Sequence, residues 1–300
     1  MLTTRGLEWL TRSKPTIDGA GVRVNRVFAR IDYRLDPFLL LDDLGSSDPA
    51  DYEKGFPFHP HRGIETITYL LEGRMAVRDS LGNESLIEPG GLQWLTAGSG
   101  VVHEEMPLAE GGFRGFQLWS NLPAAHKMRP PRYQDITEDQ IPECRLGEGV
   151  IAKVVCGKIG PTMGPVRPSV TNPEFLDVSM KPSSRLEYSM PEAYNVFAYV
   201  VSGSVRPTGD SNPRLIATNS HLLVLSDGNA VRFTAGDDGA RILLVSGRPI
   251  REPVAWDSTI VMNTRQELEC ARREYETGNF TKQQELRVQS LEAGIRLPSG

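Results

Sequence analysis

The 300-residue chain is long enough for two domains of ordinary size or one large β domain, and its 39% hydrophobic content suits a globular protein with a sizeable core. A formal net charge of −5 argues against a polycationic surface that binds nucleic acid directly. Three widely spaced cysteines (Cys144, Cys156, Cys270) with no C-x-x-C argue against a disulfide framework or a zinc ribbon and for a reducing compartment.

The first elements in the chain are strands. Val22–Phe28 alternates as a strand with one buried face, and Pro37–Asp43 is an apolar run too short for an ordinary helix, hence a buried strand. Ser46–Lys54 is polar and acidic and reads as a loop. From Ile64 the pattern is β throughout: Ile64–Leu71, Met75–Val77, Leu92–Thr96, Val101–Glu105 and Phe113–Trp119, separated by turns at Glu72-Gly73, Gly82-Asn83, Pro89–Gly91 and Gly98–Gly100. Many short strands punctuated by Gly and Pro predict a sandwich or barrel.

The pattern then repeats. Tyr69-Leu-Leu-Glu-Gly73 is echoed by Tyr199-Val-Val-Ser-Gly203, and Leu92–Gly98 by Leu222–Gly228, both at an offset of 130 residues. An internal duplication of one β unit follows. The predicted organisation is a first unit at 1–125, a linker at 126–145, a second unit at 146–256 and a helix and tail at 257–300. In the tail, Thr264-Arg-Gln-Glu267 is a capping box that opens a helix, Gly278 stops it, and the residues after Lys282 are polar.

Chemistry concentrates between Gly55 and Pro107. His59 and His61 stand two apart, as do His103 and Glu105, so each pair shares a strand face. Three imidazoles and a carboxylate aimed at one spot suit a divalent first-row metal, whereas calcium and magnesium take oxygen shells and structural zinc takes thiolates. Iron(II) is the first choice, with nickel, manganese, copper and cobalt also compatible. Three neutral histidines, one carboxylate and M²⁺ leave about +1 on the centre, which attracts an ionised hydroxyl. Glu105 is also the candidate catalytic base, taking the proton of an incoming hydroxylated substrate.

Glu65, four residues after His61, is a rival carboxylate if the strand runs on unbroken. Phe58, Gln93, Trp94, Gln117 and Trp119 are candidates to line a pocket for an aromatic substrate. The offset carries His59, His61, His103 and Glu105 onto Ser189, Pro191, Phe233 and Ala235, so the second unit is expected to lack the site. Its His221 aligns with Gly91 and reads as a surface or turn histidine.

His59-x-His61-x-x-x-Glu65 and Gly98-x-Gly100-x-x-His103 resemble the two motifs of the cupin superfamily, double-stranded β-barrels with a central metal. There are departures: the spacing from Gly55 to His59 is short, Gly73 comes a residue late, and Gly98 stands where that pattern has Pro. Those departures are shared by the pirin family. The segments HPHRGIETITYLLEG, DSLGN, LQWLTAGSGVVHEEMP, FQLWSNLP, GRPIREPVAW and VMNTRQELECARREYETGNF all resemble pirin sequence, over nearly the whole chain.

The resemblance implies an all-β bicupin, two tandem cupin barrels with a short C-terminal α-helix, and a metal held by His59, His61, His103 and Glu105 in the first barrel only. It also implies either quercetin 2,3-dioxygenase activity, with a small aromatic substrate and dioxygen, or a redox-sensitive regulator with a transcription factor or metabolic enzyme as partner. The opening residues lack the apolar run of a signal peptide and no stretch is apolar for long enough to span a bilayer. The expectation is a cytoplasmic monomer, also nuclear in a eukaryote, with no membrane or nucleic-acid partner.

Overall fold

The structure is a computed structural model that describes residues 2–109, 111–166, 170–208 and 214–282, so the polar tail after Lys282 lies outside the described residues. Its first half contains β1 (Leu7–Arg12), β2 (Lys14–Asp18), β3 (Val22–Ala29), β4 (Phe38–Ser46), β5 (Phe56–His61) and β6 (Ile64–Glu72). These are followed by β7 (Met75–Asp79), β8 (Glu84–Ile87), β9 (Leu92–Thr96), β10 (Val101–Pro107), β11 (Phe113–Asn121) and β12 (Arg132–Ile136).

One sheet runs β12-β9-β6-β11-β4-β3-β2 and a smaller one β5-β10-β7-β8. Leu70 and Phe113 from the first pack with Phe56, Met75, Val77 and Ile87 from the second, so the two sheets close on a shared interior. The second half repeats the plan around the long strands Asn195–Pro207 and Ala230–Gly247, enclosing an apolar core that includes Leu186, Tyr188 and Phe233. The architecture is therefore all-β, two tandem barrels of cupin type, and among the described residues a single α-helix.

The large sheet is covered on both faces, so β6 is buried without alternation from Ile64 to Leu70, its polar Glu65, Thr66 and Thr68 included. Ile67 and Tyr69 on one face join Phe28, Trp94 and Phe116 in a core completed from the second half by Phe175, Phe197 and Tyr199. Thr68 and Leu70 on the other face enter the first barrel. A large core thus lies between the two units.

Around it the duplication is reciprocal. Tyr69 of the first unit donates to Asp177 Oδ2 of the second at 2.8 Å, and Tyr199, its counterpart at the 130-residue offset, donates to Asp43 Oδ2 of the first at 2.7 Å. The edge strands are exchanged as well. β1 pairs antiparallel with His221–Leu225 of the second sheet, while β12 pairs antiparallel with the corresponding β9 of the first. Boundaries at 125 and 145 therefore do not coincide with the sheets: residues 7–12 complete the second sheet, and the predicted linker supplies β12.

The helix α1 (Arg265–Glu276) begins at the predicted capping box, with Thr264 and Glu267 each satisfying the other's backbone N–H. Its buried Leu268 and Ala271 pack with Ile260, Met262 and Phe280, beneath a hairpin of strands Ala255–Asp257 and Ile260–Met262. Among the described residues no helix is long and apolar enough to cross a membrane.

Candidate metal centre

β5 and β10 pair antiparallel with His59 opposite His103 and His61 opposite Val101. Since side chains two apart share a face, this register brings three imidazoles together. Their ring centroids lie 4.6 to 5.0 Å apart, and one ligand nitrogen from each falls within 4.8 Å of the other two.

The hydrogen bonds fix which nitrogens face inward. His59 Nδ1 lies 2.9 Å from the Pro57 carbonyl and His61 Nδ1 lies 3.3 Å from the Thr259 carbonyl. A carbonyl only accepts, so both Nδ1 atoms donate, which turns the Nε2 atoms toward each other. Those Nε2 atoms are 3.0 Å apart. His103 is 1% exposed, and neither of its ring nitrogens has a hydrogen-bond partner. Burial first, and then the neighbouring histidines, push the pKa values of His61 and His103 well below the usual imidazole range. Three imidazoles this close, with the His103 nitrogens buried and unpartnered, form a nitrogen donor set that fits a divalent metal.

Glu105 is placed differently. It lies two residues beyond His103 on β10, is 2% exposed, and receives Thr68 Oγ1–H on Oε1 and Gln117 Nε2–H on Oε2, each at 2.8 Å. Gln117 in turn accepts Trp119 Nε1–H at 3.2 Å. The carboxylate thus belongs to the barrel interior beside the histidines, but the close cluster among the described residues comprises the three imidazoles alone.

Glu65 points the other way. After His61 the chain turns a corner at Gly63, with φ of +78°, so the strand parity that would have aligned Glu65 with His61 is lost. Its carboxylate accepts from Thr96 Oγ1 at 2.8 Å and from Thr171 of the second unit at 3.5 Å.

A cavity of about 590 Å³ opens beside the histidines, lined by His59, Gln117, Trp119, Trp256 and Thr259 among others. That volume is typical of a small-molecule site. Trp119 packs edge-on to His61 at 5.1 Å and lies 6.1 Å from the Trp256 ring.

Of the five pocket candidates, Gln117 and Trp119 line this cavity and the other three do not. Phe58 is 52% exposed because β5 carries a bulge: Pro57 and Phe58 together oppose Glu104, which turns Phe58 outward. Gln93 donates to Ser85 and Asp135 inside the barrel, and Trp94 is buried in the core between the units. Sequence reasoning missed Thr68, which strand parity from Leu70 could have shown. It also missed Trp256 and Thr259, which stand 195 residues or more from His61 with no local signal.

In the second barrel Ser189 and Pro191 are exposed, and Phe233 and Ala235 are apolar and buried, so the positions related by the offset offer no ligand cluster. His221 sits at the start of its strand with Nδ1 near Thr218, a turn histidine as expected.

Residues 21–120 match the family described as Pirin, and residues 175–281 match that described as the pirin C-terminal cupin domain. The chain belongs to the pirin family. A Pseudomonas aeruginosa relative, provisionally named a quercetin 2,3-dioxygenase, is 42% identical over 270 residues, 88% of this chain and 94% of that one. A pirin-like protein of Caulobacter vibrioides is also 42% identical, over 275 residues, 90% of this chain and 97% of its own length. Among solved structures, the quercetin 2,3-dioxygenase of Acinetobacter baumannii superposes with a TM-score of 0.83 at 29% identity, covering 93% of this pirin-family chain and 99% of that chain.

Proposed function

We propose that this chain is a metal-dependent dioxygenase that cleaves the heterocyclic ring of a flavonol-type substrate, with His59, His61, His103 and Glu105 holding one divalent ion. The observation that carries this reading is the convergence of three imidazoles, one nitrogen from each within 4.8 Å of the others, beside a cavity that His59 and two tryptophans line. The names of the Pseudomonas and Acinetobacter relatives support the same reaction class. Iron(II) is the metal assigned first, followed by nickel, manganese, copper and cobalt.

When bound, the metal supplies Lewis acidity toward the substrate's hydroxyl and the electronic means of using dioxygen. Everything else comes from the chain. Trp119 and Trp256 receive the planar aromatic and orient its hydroxyl toward the histidines. Glu105, freed from one of its two hydrogen bonds, accepts the hydroxyl proton on a carboxylate oxygen, while Thr68 or Gln117 keeps the other oxygen in place. The burial of His61, His103 and Glu105, each at 2% exposure or less, excludes bulk water from the proton transfer.

The test is to load the protein anaerobically with each metal, add quercetin and admit air. Bleaching of the flavonol absorption with release of carbon monoxide is the expected result. One bound metal per chain with no turnover for any metal would refute the enzymatic reading.

A further inference from the structure

The corner that follows His61 is held from the middle of the chain and also from its far end. The Arg62 carbonyl accepts the Val261 N–H at 3.0 Å, and the Gly63 carbonyl accepts from Lys127 Nζ at 2.8 Å. The same ammonium donates to the Val261 carbonyl at 3.0 Å and to Asn121 at 2.6 Å. Any Cβ at Gly63 would collide with the Val261 carbonyl, so the two segments meet at backbone contact.

The Arg62 side chain, 2% exposed, runs under α1. Its Nη2 donates to Glu274 Oε2 at 2.7 Å and to the Phe280 carbonyl at 2.9 Å, with the guanidinium 4.3 Å over the Phe280 ring. This docked hairpin then delivers two groups to the site: the Thr259 carbonyl that orients His61, and Trp256 on the cavity wall.

We infer that the Arg62–Glu274 ion pair is a latch that sets the metal centre, making Arg62 and Glu274 positioning residues for His61. A guanidinium this deeply buried needs a countercharge, and Glu274 supplies it from a helix that has only Leu268 and Ala271 buried to dock it. Removing Glu274 leaves the Arg62 charge uncompensated beneath α1. The helix and hairpin then lift, the Thr259 carbonyl withdraws, and His61 loses the bond that fixes its ring and its tautomer. Outer partners of metal-binding histidines control affinity in this way, typically by about 10- to 100-fold. The latch joins residues 212 positions apart and therefore ties occupancy of the first barrel to docking of the C-terminal helix.

The inference rests on the metal-centre reading, and its test separates the two. Cobalt(II) is titrated into the metal-free full-length protein, with affinity read by calorimetry and geometry by the visible d–d absorption. The apo melting temperature is recorded alongside. Glu274→Ala is expected to bind cobalt at least tenfold more weakly than wild type, with a shifted d–d band. Lys282→Ala, which removes the second cation on Glu274 at 3.0 Å and spares Arg62, is expected to leave both unchanged.

Should Glu274→Ala not fold, Glu274→Gln, which keeps the shape and one acceptor oxygen, is expected to weaken cobalt at least threefold. Wild-type affinity and spectrum in the folded Glu274 variant would overturn the latch, whether or not its melting temperature falls. A wild-type chain that bound no cobalt would overturn the metal centre as well.

Discussion

The reciprocal tyrosines at the interface of the two units should not be equal in energy. Tyr69 donates to Asp177, but that carboxylate also receives Arg241 Nε at 2.9 Å and Nη2 at 2.6 Å. Asp43, 7% exposed, receives Tyr199, and the cation that acts on it, Arg114, does so through space without a direct bond. A hydrogen bond to a buried charge is worth about 1.5–3 kcal/mol, and leaving the charge without a donor costs the upper part of that range. Tyr199→Phe is therefore expected to destabilise the fold by about 2–3 kcal/mol and Tyr69→Phe by about 1 kcal/mol.

The pH dependence has a definite sign. Burial raises the Asp43 pKa above its unfolded value, with Tyr199 and then Arg114 partly opposing the rise. Ionising Asp43 consequently costs the folded state, a cost absent below the unfolded pKa and fully present above the folded one. Removing the Tyr199 hydroxyl raises that pKa further, so the loss should be largest at neutral pH and shrink as pH falls through the folded value. Urea unfolding followed by tryptophan fluorescence at several pH values measures both effects. Equal losses in the two variants, or a Tyr199→Phe loss that grows toward acid, would refute the reasoning.

Two further outcomes follow from the site. Gln117→Leu removes a donor from Glu105 and the acceptor of Trp119; turnover of quercetin is expected to fall about tenfold, the equivalent of one charge-assisted hydrogen bond, with one metal still bound per chain by elemental analysis. Trp256→Ala removes one aromatic wall of the cavity, and the KM for quercetin should rise about fivefold, an aromatic contact of about 1 kcal/mol, while cobalt affinity is unchanged in calorimetry.

Much of this molecule can be read from local sequence. The strands around H-P-H and H-E-E, the 130-residue echo and the capping box at Thr264 each depend on neighbours within a few positions, and each has its structural counterpart. The same echo identifies Tyr69 and Tyr199 as related positions, although only the packed structure shows them reaching across to each other's unit. Parity arguments fail where the backbone breaks its period. The corner at Gly63 turns Glu65 to the interface, and the bulge at Pro57-Phe58 turns Phe58 to solvent. Strand exchange leaves no local mark either, because β12 satisfies the same pattern whichever sheet it completes. The carbonyl that holds His61 belongs to Thr259 and the carboxylate that pairs with Arg62 to Glu274, and long-range contacts of that kind are set by the fold as a whole.

The most direct test of the account is a cobalt titration of the metal-free protein, comparing wild type with His103→Ala. The account predicts one equivalent bound per chain in wild type and none in the variant, since His103 brings two buried ring nitrogens that have no other partner. Undiminished binding by His103→Ala, or no binding by the wild-type chain, would contradict it.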